Sequence, residues 1–189
     1  QLIKMDDGRI ANRSYLVSDQ GEITARYDKL HLFDIELANG ESYLESGVIN
    51  AGNKAVLATT PWGKLGMTIC YDLRFAALYR TLAQNGAQFI TIPAAFTQTT
   101  GKAHWHTLVQ ARAIETGCYV IAPNQCGHHA DKRYSWGHSL IVNPWGEILA
   151  DGGAEPGIIY ADIDLSEVDL ARSKIPALEN DREFTLERF

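Results

Sequence analysis

Short apolar runs alternate with amphipathic stretches along most of this chain. The apolar run at 65–69 stops at Cys70, and apolar residues then recur with near-helical spacing over 73–83, up to Asn85 and Gly86. This pattern predicts a buried strand, a tight turn and a helix, with Cys70 at the carboxyl end of the strand. Open α/β sheets place reacting groups at that end, and a helix N-terminus favours the nucleophilic thiolate. Taken alone, the stretch fits both a reactive Cys70 and a buried structural cysteine.

The rest of the pattern predicts further strands and helices in alternation. Residues 38–53 show no clear period and are rich in Gly, Asn and Ser, so we expect an irregular loop, and long loops are often functional. Strand–helix–strand–helix–strand order, with hairpins at both ends, indicates an α/β fold with a mixed sheet. Residues 1–5 look like an interior strand, so we treat the chain as a possible fragment. The strand before Cys70 is predicted over 64–69. The other predicted strands are 14–18, 23–27, 55–59, 87–93, 119–123, 139–142, 147–150 and 157–163, and the other predicted helices are 101–117 and 166–175.

The composition and net charge of the chain indicate which classes of binding partner are disfavoured. A length of 189 residues suits one domain, and 46% hydrophobic residues suffice for a sizeable core. The net charge of −6 argues against a general nucleic-acid or membrane-surface binder, and no apolar run is long enough to span a bilayer. Three cysteines without CxxC spacing fit a reducing cytoplasm. We therefore expect a cytoplasmic protein without a nucleic-acid or membrane partner, in which Cys118 and Cys126 are packing residues.

A reactive Cys70 would need several partners. A thiolate that attacks a carboxamide requires a base for the thiol proton, an acid for the leaving amine and donors for the oxyanion. Lys29 comes just after the strand at 23–27, with Asp28 between, and there it would lower the pKa of the Cys70 thiol and donate to an oxyanion. By composition alone, an exposed surface lysine is the commoner case. Glu45, beside apolar residues in the loop 38–53, is a candidate carboxylate.

Four histidines are candidate metal ligands. His104 and His106 lie on a predicted helix, and His128 and His129 lie in a later loop. Residues two apart on a helix do not share a face, so the spacing disfavours a metal site, and we expect none.

Other polar groups receive a structural or binding interpretation. His138 with Asn143 would complete a Cys-His-Asn triad, but papain-type sequence around the cysteine is missing, so His138 is expected in the core or behind the site. Asp72 and Arg74 flank the start of the predicted helix, where a salt bridge between them would fix the turn. The basic loop 128–133 either binds a substrate carboxylate, to which Arg is suited, or is simply solvated.

Several stretches, taken together, resemble the nitrilase superfamily of carbon–nitrogen hydrolases. They include Gly-Met-Thr-Ile-Cys-Tyr-Asp-Leu-Arg-Phe at 66–75 and Trp-Gly-His-Ser at 136–139. No single stretch is decisive, but the set follows the family's order and covers nearly the whole chain. The resemblance implies a single domain over 1–189, with a C-terminal tail at 177–189. The remaining matching stretches are 25–34, 44–46, 93–96, 100–105 and 111–115.

The resemblance also implies a fold and a site. The fold is an α/β four-layer α-β-β-α sandwich, incomplete at the N-terminus. The site is a Glu-Lys-Cys triad in which Lys29 is the lysine, Cys70 is the nucleophile and Glu45 is a second glutamate beside the triad. The backbone N–H of Tyr71 would join Lys29 in the oxyanion hole. No metal, nucleotide or flavin cofactor is implied.

One departure from the family concerns the triad glutamate, which lies well upstream of the lysine. Glu22 is the one glutamate before Lys29 in this chain, and it lies in a predicted hairpin turn that does not match the motif. We therefore expect the chain by itself to be inactive and poorly stable.

Within the family, the stretch 124–133 and the following Ser-Trp-Gly-His-Ser most resemble the deaminated glutathione amidases. The sister ω-amidases, which act on α-ketoglutaramate, share several of these features. Both substrates carry a 2-oxoglutaryl group on an amide, so a basic contact for its carboxylate is expected, with Lys132 and Arg133 as candidates. Phe96 and Thr97 are further candidates for substrate binding.

The resemblance implies a small-molecule amide as substrate and a homodimer, in which the polar tail at 180–189 would reach across to the second copy. Two other functions stay open. One is a catalytically inactive family member that serves as a binding module. The other is an N-acyltransferase or amidotransferase-type relative, in which a second nucleophile replaces water.

Overall fold

The computed structural model describes residues 1–6, 8–37, 40, 42–129 and 133–189. No helix in these ranges is both long and apolar enough to cross a membrane. The α-helices are α1 (Ala76–Gln84), α2 (Gln98–Thr116) and α3 (Ser166–Lys174), and 3-10 helices cover Glu45–Gly47 and Cys70–Arg74. The strands are β1 (Leu2–Lys4), β2 (Ile10–Val17), β3 (Ile23–Asp28), β4 (Asp34–Glu36), β5 (Ser42–Leu44), β6 (Val56–Thr60), β7 (Gly63–Met67), β8 (Phe89–Thr91), β9 (Tyr119–Ala122), β10 (Cys126–His128), β11 (Tyr134–Trp136), β12 (Leu140–Val142) and β13 (Ile148–Asp151).

Six strands form a central mixed sheet in the order β13-β12-β9-β8-β7-β6. The strands β7, β8 and β9 run parallel in its middle, while β6, β12 and β13 pair antiparallel towards the edges. The connections between the parallel strands contain α1 and α2, and both helices pack on one face of the sheet. Parallel strands covered in this way are apolar throughout, which explains the short hydrophobic runs in the sequence. The buried side chains on this face include Leu73, Tyr79, Ile90, Trp105, Val109, Val120 and Leu140.

The opposite face of the central sheet is covered by two elements. The antiparallel sheet β1-β2-β3 brings Tyr27 against Met67 and Ile69. Farther along, α3 packs its buried Val168 against residues of β8 and β9. Helices, central sheet and second sheet are successive layers of the α-β-β-α arrangement, so the expected α/β class with a mixed sheet is confirmed.

Some element boundaries differ from expectation. The helix expected from 73 onwards is split, because a 3-10 helix precedes α1, which begins only at Ala76. The loop expected at 38–53 contains β5, which pairs with β4, and residues 38, 39 and 41 lie outside the described part of the chain. The hairpin of β10 and β11 was not anticipated.

The strand expected at 157–163 is wrong. These residues form no strand, and Ile158 and Tyr160 are 78% and 80% exposed. Alternating apolar residues predict a strand with one buried face, but a strand also requires a neighbouring edge for its backbone hydrogen bonds. The central sheet ends at β13 and β6, and the segment pairs with neither of these outer strands.

Candidate active site

The carboxyl ends of the three parallel strands meet at one edge of the central sheet. Cys70 follows β7, Pro93 and Ala94 follow β8, and Asn124 follows β9. Backbone hydrogen bonds continue past the strands, since Cys70 N donates to Pro93 O at 3.0 Å and Ala94 N donates to Pro123 O at 2.9 Å. The cysteine is thereby held at the edge where open α/β sheets bind ligands.

Cys70 lies on a strained turn. Its φ of +47° is in the left-handed region, which costs a non-glycine residue on the order of 1–3 kcal/mol. The residue begins the 3-10 helix Cys70–Arg74, so the expected α-helix N-terminus at Cys70 is replaced by a short, tight turn. The turn directs the half-buried Cys70 into the cavity described below.

Asp72 is the residue that fixes this turn. Its side chain is fully buried and accepts hydrogen bonds from Ile69 N at 2.9 Å, from the Tyr27 hydroxyl at 2.7 Å and from His31 N at 3.0 Å. His31 Nδ1 lies a further 2.7 Å from the same carboxylate. The carboxylate therefore ties the segment that carries Lys29 to the turn that carries Cys70.

The expected salt bridge between Asp72 and Arg74 does not form between these two described residues. Arg74 turns the other way, with its guanidinium carbon 5.5 Å from the centre of the Phe96 ring and its nitrogens 3.4 Å from His104 Nδ1. Both carboxylate oxygens of Asp72 instead accept hydrogen bonds from Tyr27, His31 and Ile69. Ile69 directly precedes the turn, whereas Tyr27 and His31 come from a distant part of the sequence.

Lys29 and Glu45 form a paired charge at the cavity. Lys29 is only 2% exposed, and its Nζ lies 2.5 Å from Glu45 Oε2. The same oxygen accepts the backbone N–H of Phe33 at 2.7 Å, and Asn12 Nδ2 donates to the other oxygen at 3.4 Å. A buried ammonium requires such compensation, so Glu45 fixes the position of Lys29. Lys29 is therefore not the exposed surface lysine of the alternative interpretation.

The thiol of Cys70 experiences opposing influences. Burial raises its pKa, while the positive charge of Lys29 and a backbone hydrogen bond from Ala95 act to lower it. The negative charges of Glu45 and Asp72 act in the same direction as burial. The balance leaves the pKa above the ordinary value, contrary to the thiolate-favouring effect expected from a helix N-terminus. Cys70 is thus a thiol at neutral pH and needs a base before it can attack.

Seven of the predicted site residues line one cavity of about 830 Å³. Glu22 is exposed in the turn before β3 and does not line it. Lys132, the other candidate for a substrate carboxylate, lies outside the described residues. The predicted residues that line the cavity are Lys29, Glu45, Cys70, Tyr71, Phe96, Thr97 and Arg133.

The three residues predicted to contact the substrate differ in burial and in the interactions that their side chains already make. Phe96 is buried, and its backbone N–H donates to Asn124 Oδ1 at 3.0 Å. The Thr97 side chain accepts from Thr100 N at 3.4 Å as the N-cap of α2, so its hydroxyl is already in use. Arg133 is exposed, with its guanidinium carbon 5.7 Å from the centre of the Tyr43 ring.

Sequence reasoning missed several residues around the site. Asn12, Phe33 and Asn124 line the cavity and hold Glu45 or Phe96 in place, and His31 binds Asp72. Asn124 carried a signal, because it directly follows a predicted strand in the way that Cys70 does.

Among the described residues, the histidines form neither the Cys-His-Asn triad nor the four-histidine metal site considered from the sequence. His138 and Asn143 do not line the cavity of Cys70, so no Cys-His-Asn triad forms there. His106 contacts neither His128 nor His129, and its ring lies instead 4.9 Å from that of His138.

The fold and the cavity define a layered α/β protein with a cysteine, a lysine and a carboxylate at one sheet edge. Comparison with known proteins agrees with this description. A model of the carbon–nitrogen hydrolase family matches residues 2–173. The chain is 46% identical over 175 residues to a deaminated glutathione amidase from Synechocystis sp., which covers 92% of this chain and 64% of that protein.

Two solved structures are similar. The crystal structure of the Caenorhabditis elegans NitFhit protein matches with a TM-score of 0.87 at 42% identity and covers 94% of this chain and 43% of that one. A mutant of the amidase from Nesterenkonia sp. AN1 matches with a TM-score of 0.73 at 26% identity, covering 92% and 59%. The latter shows covalent addition of the acetamide moiety of fluoroacetamide at its active-site cysteine. This chain therefore belongs to the carbon–nitrogen hydrolase family, and it spans less than two thirds of the length of these relatives.

Proposed function

We propose that this chain carries the nucleophile of an amidase that cleaves a non-peptide C–N bond through a thioester on Cys70. The observation that carries the proposal is the meeting of Cys70, Lys29 and Glu45 in one cavity at the carboxyl edge of the parallel strands. The 46% sequence identity to a deaminated glutathione amidase supports the proposal. The similar amidase structure in which an acetamide moiety is covalently bound to the active-site cysteine supports it as well.

The chemistry follows from the positions of the groups. Cys70 Sγ forms a bond to the amide carbonyl carbon, and the π electrons move to the oxygen. The Lys29 ammonium and the Tyr71 N–H stabilise this oxyanion, and one such donor is typically worth roughly 10²–10³ in rate. Collapse of the intermediate breaks the C–N bond, and the amine leaves with the proton that the thiol gave up. Water then hydrolyses the thioester to a carboxylic acid and restores Cys70.

The proton transfer needs a carboxylate. Because burial keeps Cys70 protonated, a base must take the thiol proton and pass it to the leaving amine. Among the described residues, Glu45 is the one carboxylate that lines the cavity, and its oxygens are engaged by Lys29, Phe33 and Asn12. We assign Glu45 to hold Lys29, and a further glutamate, which the described residues do not supply at the cavity, to carry the proton.

Deaminated glutathione is the substrate we propose. Its hydrolysis gives 2-oxoglutarate and cysteinylglycine, and a cavity of about 830 Å³ is of the size that holds a small-molecule ligand. Arg133 lines this cavity, is exposed and forms no ion pair with another described residue, so its guanidinium is available to the carboxylate of the 2-oxoglutaryl group.

The test uses the protein encoded by the complete reading frame, alongside the 189-residue chain. We would measure 2-oxoglutarate formed from deaminated glutathione and from α-ketoglutaramate, with Cys70→Ala as the control. Turnover of deaminated glutathione that disappears in Cys70→Ala is expected. Preference for α-ketoglutaramate would identify an ω-amidase instead, and no product from either amide would favour an inactive binding module. Normal turnover by the 189-residue chain would disprove its expected inactivity.

Arg133→Ala tests the carboxylate contact in the same assay. We expect KM to rise roughly tenfold to a hundredfold with a small change in kcat, because a hydrogen-bonded charge contact is lost from substrate binding. Arg182→Ala, which removes an exposed arginine that does not line the cavity, should leave KM unchanged. An unchanged KM in Arg133→Ala would remove this residue from the site.

The assembly and location of the protein are also proposals. Residues 1–189 are taken as one hydrolase domain with a tail at 177–189, and the protein as a cytoplasmic homodimer. The three cysteines are all free thiols, which suits a reducing compartment. Large apolar side chains exposed near the C-terminus suit a partner chain.

A further inference from the structure

A second cluster of titratable side chains lies outside the active-site cavity. His106 projects from α2, His138 precedes β12, and Asp151 ends β13. Their ligand atoms all lie within 4.8 Å of one another. None of the three residues lines the cavity of Cys70, and the amidase chemistry does not use them.

The distances within this cluster suit a tetrahedral metal ion. His106 Nε2 lies 3.0 Å from Asp151 Oδ2, and His138 Nδ1 lies 2.9 Å from Asp151 Oδ1. Zinc bonds of about 2.0–2.1 Å at the tetrahedral angle place neighbouring ligand atoms roughly 3.3 Å apart. The two nitrogen–oxygen pairs are therefore within a few tenths of an ångström of the required separation, and His138 Nδ1 also lies 3.1 Å from Asp151 Oδ2, the oxygen that His106 faces. The two histidine nitrogens lie within 4.8 Å of each other and would approach by rotation of the rings.

Neighbouring groups hold the ligands in this arrangement. Trp105 Nε1 donates to His138 O at 2.7 Å, which fixes the backbone of His138 to the helix that carries His106. The ring of Trp136 stacks on that of His138 with 4.8 Å between centres. Gly153 N donates to Asp151 Oδ1 at 2.8 Å, the kind of secondary hydrogen bond that orients a metal-binding carboxylate.

The charges and exposure of the cluster also suit a cation. The Asp151 carboxylate faces both imidazole rings and accepts the backbone N–H of Gly153. The three side chains are 24–34% exposed, so an ion has access from solvent and keeps room for a water ligand. An ionised carboxylate only accepts hydrogen bonds, so each histidine donates an N–H that a metal ion would replace.

We propose that His106, His138 and Asp151 bind one divalent transition-metal ion of the Zn²⁺ type, which clamps α2 to the β12–β13 hairpin. The spacing of His104 and His106 on one helix argued against a metal site, but the partners of His106 come from distant parts of the chain. The clamp borders the active-site wall, because Asn124 Nδ2 donates to Gly137 O at 2.6 Å and Asn124 Oδ1 accepts from Phe96 N.

The test is a titration of the protein encoded by the complete reading frame with Co²⁺ and with Zn²⁺ near neutral pH. We expect a single Co²⁺ to give the visible absorption of a nitrogen and oxygen site, without the near-ultraviolet charge-transfer band of a cysteine ligand. Zn²⁺ should displace it and raise the thermal midpoint. His106→Gln and Asp151→Asn should each weaken binding at least tenfold, a loss at least as large as that for a secondary contact.

The matched control is His104→Gln, on the same helix but paired with Arg74 instead of the cluster. It should bind Co²⁺ as the unmodified chain does. Circular dichroism of each variant establishes that it is folded. Absence of binding, a thiolate band, or equal affinity in folded His106→Gln and Asp151→Asn would each overturn the proposal, and none of these results bears on amidase turnover.

Discussion

At the scale of single residues, Cys70 shows how position and ionisation are set separately. The turn and the carbonyl of Pro93 fix its backbone, while burial and the charges of Lys29 and Glu45 set the pKa of the thiol. Because burial prevails, the proposed mechanism starts from a neutral thiol and requires a base at the moment of attack. In that mechanism the oxyanion donors are in place before the charge appears, which is how preorganised sites stabilise transition states.

The pH dependence of alkylation tests this balance. Iodoacetamide should modify Cys70 with a midpoint above the ordinary cysteine value of about 8.5, because the raised pKa keeps the thiol protonated until higher pH. Lys29→Met should move the midpoint up, and Glu45→Gln should move it down. Mass spectrometry separates Cys70 from Cys126, which serves as an internal control. A midpoint at or below the ordinary value in the unmodified chain would contradict the assignment.

Asp72→Asn should be strongly destabilising. The buried carboxylate accepts from Ile69 N, Tyr27 and His31, and an amide presents an NH₂ group where one acceptor oxygen stood. Removing one partner of a buried charged network typically costs about 3–5 kcal/mol. Urea unfolding would measure the loss, and Asp162→Asn, at an exposed position, should change little. A loss below about 1 kcal/mol would show that Asp72 does not fix the turn.

The cavity residues that lie within a recognisable sequence motif could be predicted from the sequence. Cys70, Lys29 and Glu45 stand in stretches that resemble a family, and the end of a parallel strand places the first of them at the sheet edge. The partners of Asp72 were not predictable in this way. Tyr27 lies 45 residues away in the sequence, and only the packing of the two sheets brings its hydroxyl to the carboxylate.

At the scale of elements, the contact between α2 and β11 depends on a glycine, Gly101, at the point where the helix meets the strand. A Cβ at Gly101 would lie 2.3 Å from Trp136 Cβ and 2.4 Å from its Cγ, both close to the backbone of the strand. The helix reaches the strand only because position 101 has no side chain.

Gly101→Ala should therefore destabilise the protein, although alanine is the better helix former by about 1 kcal/mol. Overpacking typically costs about 1–3 kcal/mol, and we expect the upper part of that range because the Trp136 atoms cannot move without shifting the strand. After the gain in helix propensity, the net loss in urea unfolding should be about 1–2 kcal/mol. Lys102→Ala at the next, exposed position should be neutral or slightly stabilising. A Gly101→Ala variant as stable as the parent would show that the close approach is unimportant.

Elements with continuous or helical patterns could be predicted closely, whereas those defined by partners could not. The apolar core of β7 and β9 and the long α2 appear where the pattern places them. The hairpin β10–β11 escaped notice because its strands have three residues each, which is too short to show a period, and because they form a separate two-stranded sheet. The segment 157–163 has a strand-like pattern, but it pairs with no described strand.

At the scale of the whole molecule, apolar side chains remain exposed along the last third of the chain. Ile158, Tyr160, Phe184, Leu186 and Phe189 are each 76% exposed or more. Monomeric proteins rarely leave large apolar groups together in solvent, and fully burying one such side chain is worth about 1.5–3 kcal/mol. The failed strand at 157–163 and the end of the tail at 184–189 thus share one property, which is large apolar side chains that the described residues leave exposed.

A homodimer would cover that surface, with each tail on the other copy in two-fold symmetry. Light scattering coupled to size exclusion should give the mass of a dimer. Replacing Phe184, Leu186 and Phe189 together by Ser should give a monomer, because these three side chains carry on the order of 5–9 kcal/mol of burial per tail. Trp62→Ser, which removes a 75% exposed side chain from a different turn, should leave the dimer intact. A monomeric parent chain, or a dimer that persists in the triple variant, would show that the tail does not join two copies.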